Sequence, residues 1–522
     1  MIAAVVAYGV ANALLYCSLL PLWEGFDEAF HYAYVQSFAV HRALPVLGQD
    51  ALSEEVWNSM QLAPVSHVLR RSYPGLTTFS EFFDLPPAER EDRRQQLNAL
   101  SPSLRNEDFG TPRNYEAYQP PLAYAILAIP DTLWAGAVLP ARVFRLRVFG
   151  SILSCLAIAA AALYLSRGLG LSRLDELVLL FLLFSTQMFY ATVCHVANDW
   201  LAVPLAVGLF GAAVRFHFNP ASKNALILAL VLAAGLLTKA YFLAFVPGVL
   251  ALAALHLFVE PRLTFRSALA FLLVPALSGP WYWRNISLYG TLTGTVESVN
   301  GVGIQAVTAA LPRIPWLETI GYMARGSLWT GNNTFSTFSR ITLDLMVALL
   351  CAGIIARLVA IRKEKLRGAE WIVLGGIFCF LLELIYATAQ EYVFRQGTSA
   401  GASVWHVQPL LVPLMCLVLR GLARAGRYGR WLQVALLLVW TYVIIATYWL
   451  KLIPLYAAEG GEKSVFLRLL QWYVNGVTTG LGMLSSVAMA PTAVICLLAV
   501  AVTIGAIVLC RFLCLSAVKK DL

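Results

Sequence analysis

Long apolar runs recur along the whole sequence, and they constrain the fold more than any other feature. Ala225–Leu237, Leu345–Ala356 and Thr492–Leu509 contain no charged residue. A helix needs about 20 mostly apolar residues to cross the hydrocarbon core of a membrane. Helices satisfy their own backbone polar groups, and these runs lack the alternation of barrel strands. With 59% hydrophobic and 13% charged residues, the chain is predicted to be an all-α polytopic membrane protein.

Twelve membrane spans are predicted from these runs. They cover residues 2–20, 143–165, 175–194, 199–216, 224–238, 240–258, 266–283, 341–361, 369–389, 404–421, 431–450 and 491–513. The first is expected to be retained, because no charged region of the signal-peptide type precedes it. Pro120–Leu139 is apolar too, but counting it as a span would invert every later loop. It is therefore predicted to lie at the interface or to be re-entrant.

Lysine and arginine alternate between the connecting segments in a way that predicts the orientation. They concentrate around residues 167–173, 215–223, 262–266, 362–367 and 424–430 and near residue 520. The intervening short turns nearly lack them. This positive-inside pattern predicts a bacterial-type inner-membrane protein with both termini in the cytoplasm. Because the net charge of +9 is spread over these loops, no nucleic-acid partner is expected.

Three non-cytoplasmic segments are then long enough to form a site. They are residues 21–142, which contain most of the acidic residues, 284–340, and a loop near 451–490. The first separates span one (1–20) from spans two to seven (143–283), and the second precedes spans eight to twelve (341–522). The chemistry is therefore expected on the non-cytoplasmic face.

The first of these segments opens with an acidic motif, WEGFDEAFH at residues 23–31. On a predicted helix, Asp27 and His31 share a face, and Glu28 points about 100° away. Such a group can supply a general base at the membrane surface, with His31 or Glu28 tuning it. The alternative is an interfacial helix that Asp27 merely caps.

Two turns carry further candidates for the substrate cleft. Tyr118 and Gln119 precede two prolines, which can start a helix but not continue one, so a plain turn is the alternative. The segment His195–Asp199 is a turn between spans three and four, and His195, Asn198 and Asp199 are its candidates. Polar groups at this depth are costly unless they face a cavity. The alternative for Asn198 and Asp199 is a helix cap.

Isolated cations on the predicted outer face are candidates for binding an anion. Lys239 stands between apolar runs, and Arg284 follows Trp283 in an aromatic cluster. A guanidinium is well suited to a phosphate. The alternatives are snorkelling of Lys239 to the headgroups and anchoring of the aromatic cluster at the interface. Arg325 is a weaker candidate of the same kind, and Trp283 is a candidate for the cleft.

Together these motifs resemble the GT-C superfamily of integral-membrane glycosyltransferases, in particular its protein O-mannosyltransferase and aminoarabinose-transferase-like branch. The motifs appear in the family's order as DE at 27–28 followed by His31, YQPPL at 118–122, ND at 198–199, LTK at 237–239 and WYWRN at 281–285. The resemblance implies a GT-C-type bundle of about 12 helices, with interfacial helices in the first outer loop. One departure is Gln119, where the family often has a histidine.

The resemblance also implies a function. Asp27 would be the catalytic base with Glu28 in the same cleft, and Lys239 and Arg284 would bind the lipid phosphate. The reaction would be inverting transfer of a sugar from a polyprenyl-phosphate donor to a lipid, glycan or protein acceptor. No metal is predicted, because no tight ligand spacing is present, although the acids and histidines could converge on a divalent cation.

Two other classes of protein remain as alternatives. A transporter or flippase of a lipid-linked solute would use ionisable residues within the membrane, but no inverted repeat is found and the ionisable residues cluster at one face. A non-catalytic partner in envelope glycopolymer assembly would keep the fold. Intact Asp27, Glu28 and Lys239 argue against that reading.

Overall fold

The computed structural model describes residues 1–259, 264–361, 367–398, 403–458 and 471–519. Within them, nearly all regular structure is helical, and the strands form one two-stranded antiparallel sheet. Residues 459–470 of the third predicted loop lie outside the described residues, as do the loop cations Arg262, Arg362, Lys363 and Lys365. The predicted all-helical architecture is confirmed.

One membrane helix and the segment after it define a face of the protein. The helix Ile2–Leu19 ends two residues before Pro21, which lacks the N–H that a continuing helix would need. Residues 20–138 then fold over the helix ends, and we call this side the loop face. The elements are α1 (Ile2–Leu19), α2 (Glu28–Gln36), β1 (Ala51–Ser53), α3 (Glu54–Leu62), α4 (His67–Ser72), α5 (Phe79–Asp84), α6 (Pro87–Ala99), β2 (Asp108–Arg113) and α7 (Leu122–Leu133).

The middle of the chain supplies the helices on which this face rests. They are α8 (Leu139–Gly168), α9 (Arg173–Phe184), α10 (Gln187–Val193), α11 (Asp199–Phe218), α12 (Ser222–Leu236), α13 (Phe245–Ala254), α14 (Phe265–Ala270), α15 (Leu273–Tyr289), α16 (Val296–Val299), α17 (Ile304–Ala310) and α18 (Trp316–Gly326). Helices α8 and α11 pack closely because small residues line their contact. A Cβ on Gly211 would lie 2.6 Å from the Tyr164 ring, so glycine is needed there.

The last part of the chain completes the bundle. Its helices are α19 (Arg340–Ala360), α20 (Gly368–Phe394), α21 (Gln408–Arg424), α22 (Gly426–Ala446), α23 (Ile453–Tyr456), α24 (Val477–Val487) and α25 (Thr492–Lys519). Helix α25 packs against both α1 and α22, so the two ends of the described chain lie side by side.

The predicted number of twelve spans is not confirmed. Among the described residues, nine helices are long and apolar enough to cross a membrane, or ten if α9 and α10, bent by 63°, form one broken span. Predicted spans 224–238 and 266–283 correspond mainly to α12 and α15, which have only 15 and 17 residues. Helix α7, in the ambiguous stretch Pro120–Leu139, has 12 residues and is too short to cross.

Candidate active site

Asp27 stands immediately before α2 with a left-handed backbone, at φ 54°. Asp27 is the N-cap residue of this helix, but its side chain makes no capping hydrogen bond. Instead, the Tyr115 hydroxyl donates to Asp27 Oδ1 at 2.6 Å. Asp27 is partly exposed, whereas Glu24 and Glu28 are fully buried. Asp27 is thus the acid of this motif that a substrate can reach.

Glu116 is electrostatically linked to Asp27. Burial, followed by the negative charge of Asp27, raises the pKa of Glu116 to about 8. Burial also raises the pKa of Asp27, but the Tyr115 hydrogen bond and the charge of Lys239 oppose that shift. The charge of Asp27 therefore disfavours ionisation of Glu116.

His31 contacts Glu116 rather than Asp27. Its Nδ1 lies 2.8 Å from the Tyr124 hydroxyl and 3.7 Å from Glu116 Oε2. Burial lowers the pKa of His31 well below its usual value, so the imidazole is neutral at physiological pH. His31 therefore lies beside an acid, as predicted, but that acid is Glu116 and not Asp27.

Lys239 forms a buried ion pair with Asp199. Its Nζ lies 2.7 Å and 2.8 Å from the two carboxylate oxygens. Lys239 and Asp199 are both buried, so Lys239 does not snorkel to the headgroups. Because Lys239 also affects the pKa of Asp27 and of Glu116, these four residues belong to one electrostatic unit. We call Asp27, Glu116, Asp199 and Lys239 the Asp27 cluster.

Amide side chains connect the turns that carry this cluster. Asn198 donates to Gln119 Oε1 and to the Thr238 carbonyl, each at 3.0 Å. Asn198 is the N-cap residue of α11, but its side chain makes no capping hydrogen bond. Gln119 in turn donates to Glu116 Oε2 at 2.9 Å and to the Tyr118 hydroxyl at 3.0 Å. Asn198 therefore links its own motif to those at 118–122 and 237–239.

Glu28 is placed differently from Asp27. It forms a buried ion pair with Arg147 of α8, with Arg147 Nε 2.7 Å from Glu28 Oε1. Arg147 also donates to the carbonyls of Leu20 and Pro21, and Val196 N–H donates to Glu28 at 3.0 Å. Glu28 therefore ties α1, α2 and α8 to the turn at 195–199. Its contacts suit a positioning residue rather than a reacting group.

His195 packs against Gly25 with no space between them. A Cβ on Gly25 would lie 2.4 Å from the His195 Cβ, so glycine is required for this approach. The His195 ring is buried beside Phe26, and its Nδ1 has no hydrogen-bond partner among the described residues. Burial lowers the pKa of His195, so this side chain is neutral as well.

Glu24 is a second buried acid next to this turn. Its Oε1 accepts hydrogen bonds from Thr334 N–H at 2.9 Å and from the Tyr456 hydroxyl at 3.4 Å. Its Oε2 has no partner within the described part of the chain. Burial raises the pKa of Glu24 to about 8, so Glu24 is mostly protonated at neutral pH.

The remaining predicted residues lie in different surroundings. Arg284 Nη2 donates to the Pro45 carbonyl at 2.7 Å, and the guanidinium lies 4.9 Å from the Trp281 ring centre. Its Nη1 is buried without a partner in the described ranges. Trp283 is 71% exposed on α15, and Arg325 pairs with Asp344 at 3.0 Å. Within the described residues, neither Trp283 nor Arg325 has a hydrogen bond, ion pair or ring contact with the Asp27 cluster.

Tyr115, Glu116 and Arg147 contact the predicted site residues, but sequence reasoning did not select them. Tyr115 and Glu116 directly precede the Tyr118 motif. The position of Glu116, an acid next to an apolar helix, could have indicated a functional residue. Arg147 lies inside the predicted span 143–165, where a charge is costly unless it is paired. That cost was the signal for a buried partner.

An apolar cavity of about 440 Å³ opens between α11, α13 and α20. Its wall includes Phe245, Leu252 and Cys379. Phe380 contacts both the Phe245 ring, at 5.3 Å, and the Tyr241 ring, at 5.2 Å. Tyr241 in turn lies under Lys239, whose Nζ is 5.6 Å from its ring centre. Aromatic contacts therefore lead from the Asp27 cluster to this cavity.

The acids and histidines of this region do not form a metal site within the described residues. Among the described residues, no group of three or more His, Cys, Asp or Glu side chains is placed to hold a metal ion. The side chains that could have converged are instead engaged with one another, as Asp199 is with Lys239 and Glu28 with Arg147.

Comparison with known proteins identifies the class of fold. No protein-family model matches the sequence, and no curated protein matches it significantly. The chain is similar to ArnT from Cupriavidus metallidurans bound to undecaprenyl phosphate, with a TM-score of 0.50 and 13% identity over 99% of this chain and 77% of that one.

Two other solved structures resemble the chain less. The apo state of the same ArnT gives a TM-score of 0.46 at 14% identity, covering 96% of this chain and 76% of that chain. An oligosaccharyltransferase from Archaeoglobus fulgidus with Zn and sulfate gives 0.39 at 14% identity, covering 90% and 55%. The likeness to undecaprenyl-phosphate-bound ArnT shows that the chain shares the fold of that protein.

Proposed function

We propose that the chain is a glycosyltransferase that transfers a sugar from a polyprenyl-phosphate donor to an acceptor on the non-cytoplasmic face. The observation that carries the proposal is the partly exposed Asp27 carboxylate, held by Tyr115 next to a buried cation, Lys239. Support also comes from the fold, because the ArnT structure that it resembles holds undecaprenyl phosphate.

In the proposed reaction, Asp27 is the general base. It removes the proton from an acceptor hydroxyl or amine while that atom attacks the anomeric carbon. The bond from that carbon to the phosphate oxygen breaks, and polyprenyl phosphate leaves with the electron pair. A single displacement inverts the anomeric configuration. Because burial raises the pKa of Asp27, this carboxylate is a stronger base than an exposed one.

Lys239 and Arg284 are proposed to bind the donor phosphate. Negative charge accumulates on the leaving phosphate, so a fixed cation stabilises the transition state more than the bound donor. Lys239 is held by Asp199, and Arg284 retains a buried Nη1 without a partner in the described ranges. The apolar cavity beyond Tyr241 has the character needed for part of the isoprenoid chain.

The other predicted residues receive supporting roles. Glu28 positions the turn that presents Asp27, because its carboxylate is fully occupied by Arg147 and Val196. His31 and Glu116 set the charge around Asp27, and Asn198 and Gln119 hold the turns together. Tyr118 is partly exposed and is proposed to contact the sugar.

The proposed setting follows from the charge pattern. Both termini lie in the cytoplasm, the protein resides in a bacterial inner membrane, and the loop face is non-cytoplasmic. The acceptor is a lipid, a glycan or a protein. No step is assigned to a metal ion, and a divalent cation remains to be tested by addition of chelator.

Purified protein in lipid nanodiscs would be incubated with a panel of polyprenyl-phosphate sugars, each together with lipid, glycan and peptide acceptors, and release of polyprenyl phosphate measured. Asp27→Asn is expected to lower the rate by about 10²–10⁴-fold, because the general base is lost. Asp92→Asn is the matched control, since Asp92 is exposed on α6 at the same face, and its rate should be unchanged.

Both variants should keep the thermal unfolding midpoint of the wild type. Full activity in Asp27→Asn would remove Asp27 from the role of base. If wild type bound one donor but turned over none of the panel, the transferase proposal would fail, and a flippase or a non-catalytic partner would explain the binding.

A further inference from the structure

A second pocket lies at the loop face, away from the Asp27 cluster. It has a volume of about 520 Å³, and its walls come from α3, α6, the start of α8 and residues 485–489. None of the four residues of the Asp27 cluster lines it. A pocket of this size is typical of sites for small organic ligands.

The charged residues of this pocket are all cations. Arg93, Arg94 and Arg145 line it, and no acidic residue is among the described residues that do so. Arg93 and Arg94 also pair with Glu89 and Glu91 on their own helix. Such exposed pairs contribute little energy, about 0–1 kcal/mol, so both arginines remain available to an anion.

Arg145 differs from the two arginines that flank it on α8. Arg142 and Arg147 are buried in ion pairs with Glu55 and Glu28. Arg145 is exposed, lies 5.8 Å from the Trp134 ring centre, and has no carboxylate partner among the described residues. This helix is apolar enough to cross the membrane. Because an unpaired charge near the membrane is costly, an anionic partner would stabilise Arg145.

The rest of the pocket is mainly apolar. Leu22, Phe82, Phe144 and Met489 contribute to its walls, and Asn98, Ser485 and Ser486 add polar groups. The pocket lies where α1 ends and α8 begins, at the loop-face ends of two membrane-spanning helices. An apolar wall next to arginines at that level matches a molecule with a phosphate headgroup and an alkyl chain.

We infer that this pocket binds an anionic lipid of the loop-face leaflet, with the lipid phosphate between Arg94 and Arg145 and the start of an alkyl chain against Phe144. The inference concerns a site separate from the donor and does not depend on the transfer reaction. A free phosphate offers the same anion without the chain, so the test separates the two sources.

Binding would be measured by native mass spectrometry of the full chain in a neutral detergent, titrated with phosphatidylglycerol, phosphatidylcholine or inorganic phosphate. Wild type should bind one phosphatidylglycerol, and Arg94→Gln/Arg145→Gln should bind it about tenfold more weakly. The control Arg70→Gln/Arg71→Gln also removes two cations from this face. Arg71 is exposed, and Arg70 is partly exposed and lies near Glu81. The affinity of this control should stay within about twofold of wild type.

A neutral change in the wall tests the apolar part. Ala141→Phe fills space next to Phe144 without altering charge and should weaken binding of phosphatidylglycerol. This variant also decides the matter if the double arginine variant does not fold. Unchanged affinity in a folded Arg94→Gln/Arg145→Gln would overturn the inference. Equal loss in the control pair, equal binding of phosphatidylcholine, or full displacement by inorganic phosphate would each overturn it too.

Discussion

Two groups of buried charges at the loop face differ in their balance. In the first group, which we call the scaffold pairs, each acid has its own arginine: Glu28 with Arg147, Glu55 with Arg142, and Asp131 with Arg105. In the Asp27 cluster, three acids share the single cation Lys239. The first group is neutral overall, and the second is deficient in positive charge.

This difference in charge balance indicates different roles, with the scaffold pairs stabilising the fold and the Asp27 cluster suited to catalysis. In the pair of Glu28 with Arg147, the positive charge of Arg147 outweighs the effect of burial and lowers the pKa of Glu28, so the pair stays ionised and fixes the helices that carry it. In the Asp27 cluster, burial raises the pKa of Asp27 and raises that of Glu116 to about 8, and the negative charges of neighbouring acids add to both shifts. Perturbed acids in a reachable cleft are typical of functional sites.

Breaking a scaffold pair should produce the largest loss of stability. Glu28→Gln leaves the Arg147 guanidinium buried without its counter-charge, which is expected to cost about 3–5 kcal/mol of unfolding free energy. Thermal and denaturant unfolding in detergent would measure it. Glu28→Gln/Arg147→Met removes both charges and should recover most of the loss. Unaltered stability in the single variant would mean that this pair does not hold the fold.

Removing both charges of the ion pair in the Asp27 cluster should leave stability unchanged but lower the activity. Lys239→Met/Asp199→Asn removes a neutral pair, so the unfolding midpoint should stay near that of wild type. The release of polyprenyl phosphate should fall by about 10²–10³-fold, since the cation proposed for the phosphate is gone. A variant that unfolds early yet retains its specific activity would place Lys239 among the scaffold residues.

Glu116 offers a pH test of the charge deficit. Above its pKa of about 8, Glu116 becomes ionised and adds a second negative charge beside Asp27. That charge should repel an anionic donor, so the wild-type kcat/KM should decline above pH 8. In Glu116→Gln the decline should be several-fold smaller, while the rates at pH 7 stay similar. Parallel profiles for both proteins at high pH would contradict this.

Glu24 should affect the pH dependence of stability rather than the rate. Its pKa is raised to about 8 in the folded protein, so between the ordinary glutamate pKa and 8 the folded state retains a proton that the unfolded state has lost. Stability therefore falls as pH rises through that range, by at most about 1.4 kcal/mol per unit from this group. Glu24→Gln should flatten the slope measured between pH 5 and 8. An unchanged slope would show that Glu24 is ionised in the folded state.

The architecture was largely predictable because membrane helices are specified locally. A run of apolar residues defines each helix wherever its neighbours lie. The number of spans was not predictable, because it depends on where a helix ends within an apolar run. Ser185 and Thr186 interrupt predicted span 175–194 and bend it by 63°, and α12 ends after 15 residues. Such breaks depend on tertiary packing, which a hydropathy pattern does not reveal.

The site was predictable as a set of motifs but not as a set of contacts. Isolated charges at Asp27, Asp199 and Lys239 were visible because each is costly near a membrane. Their partners lie far along the chain: Lys239 and Asp199 are 40 positions apart, and Arg147 is 119 positions from Glu28. Two adjacent acids, Asp27 and Glu28, therefore looked alike in the sequence and acquire different environments only through tertiary structure.

The ion pair between Lys239 and Asp199 has a consequence for product release. A lysine that is ion-paired with a carboxylate binds a phosphate less tightly than an unpaired lysine does. In the proposed reaction the phosphate begins as a diester with one negative charge and ends as a monoester with nearly two. The second charge appears close to Asp199 and Asp27, which repel it. Release of polyprenyl phosphate would then be faster than from a lysine without a carboxylate partner.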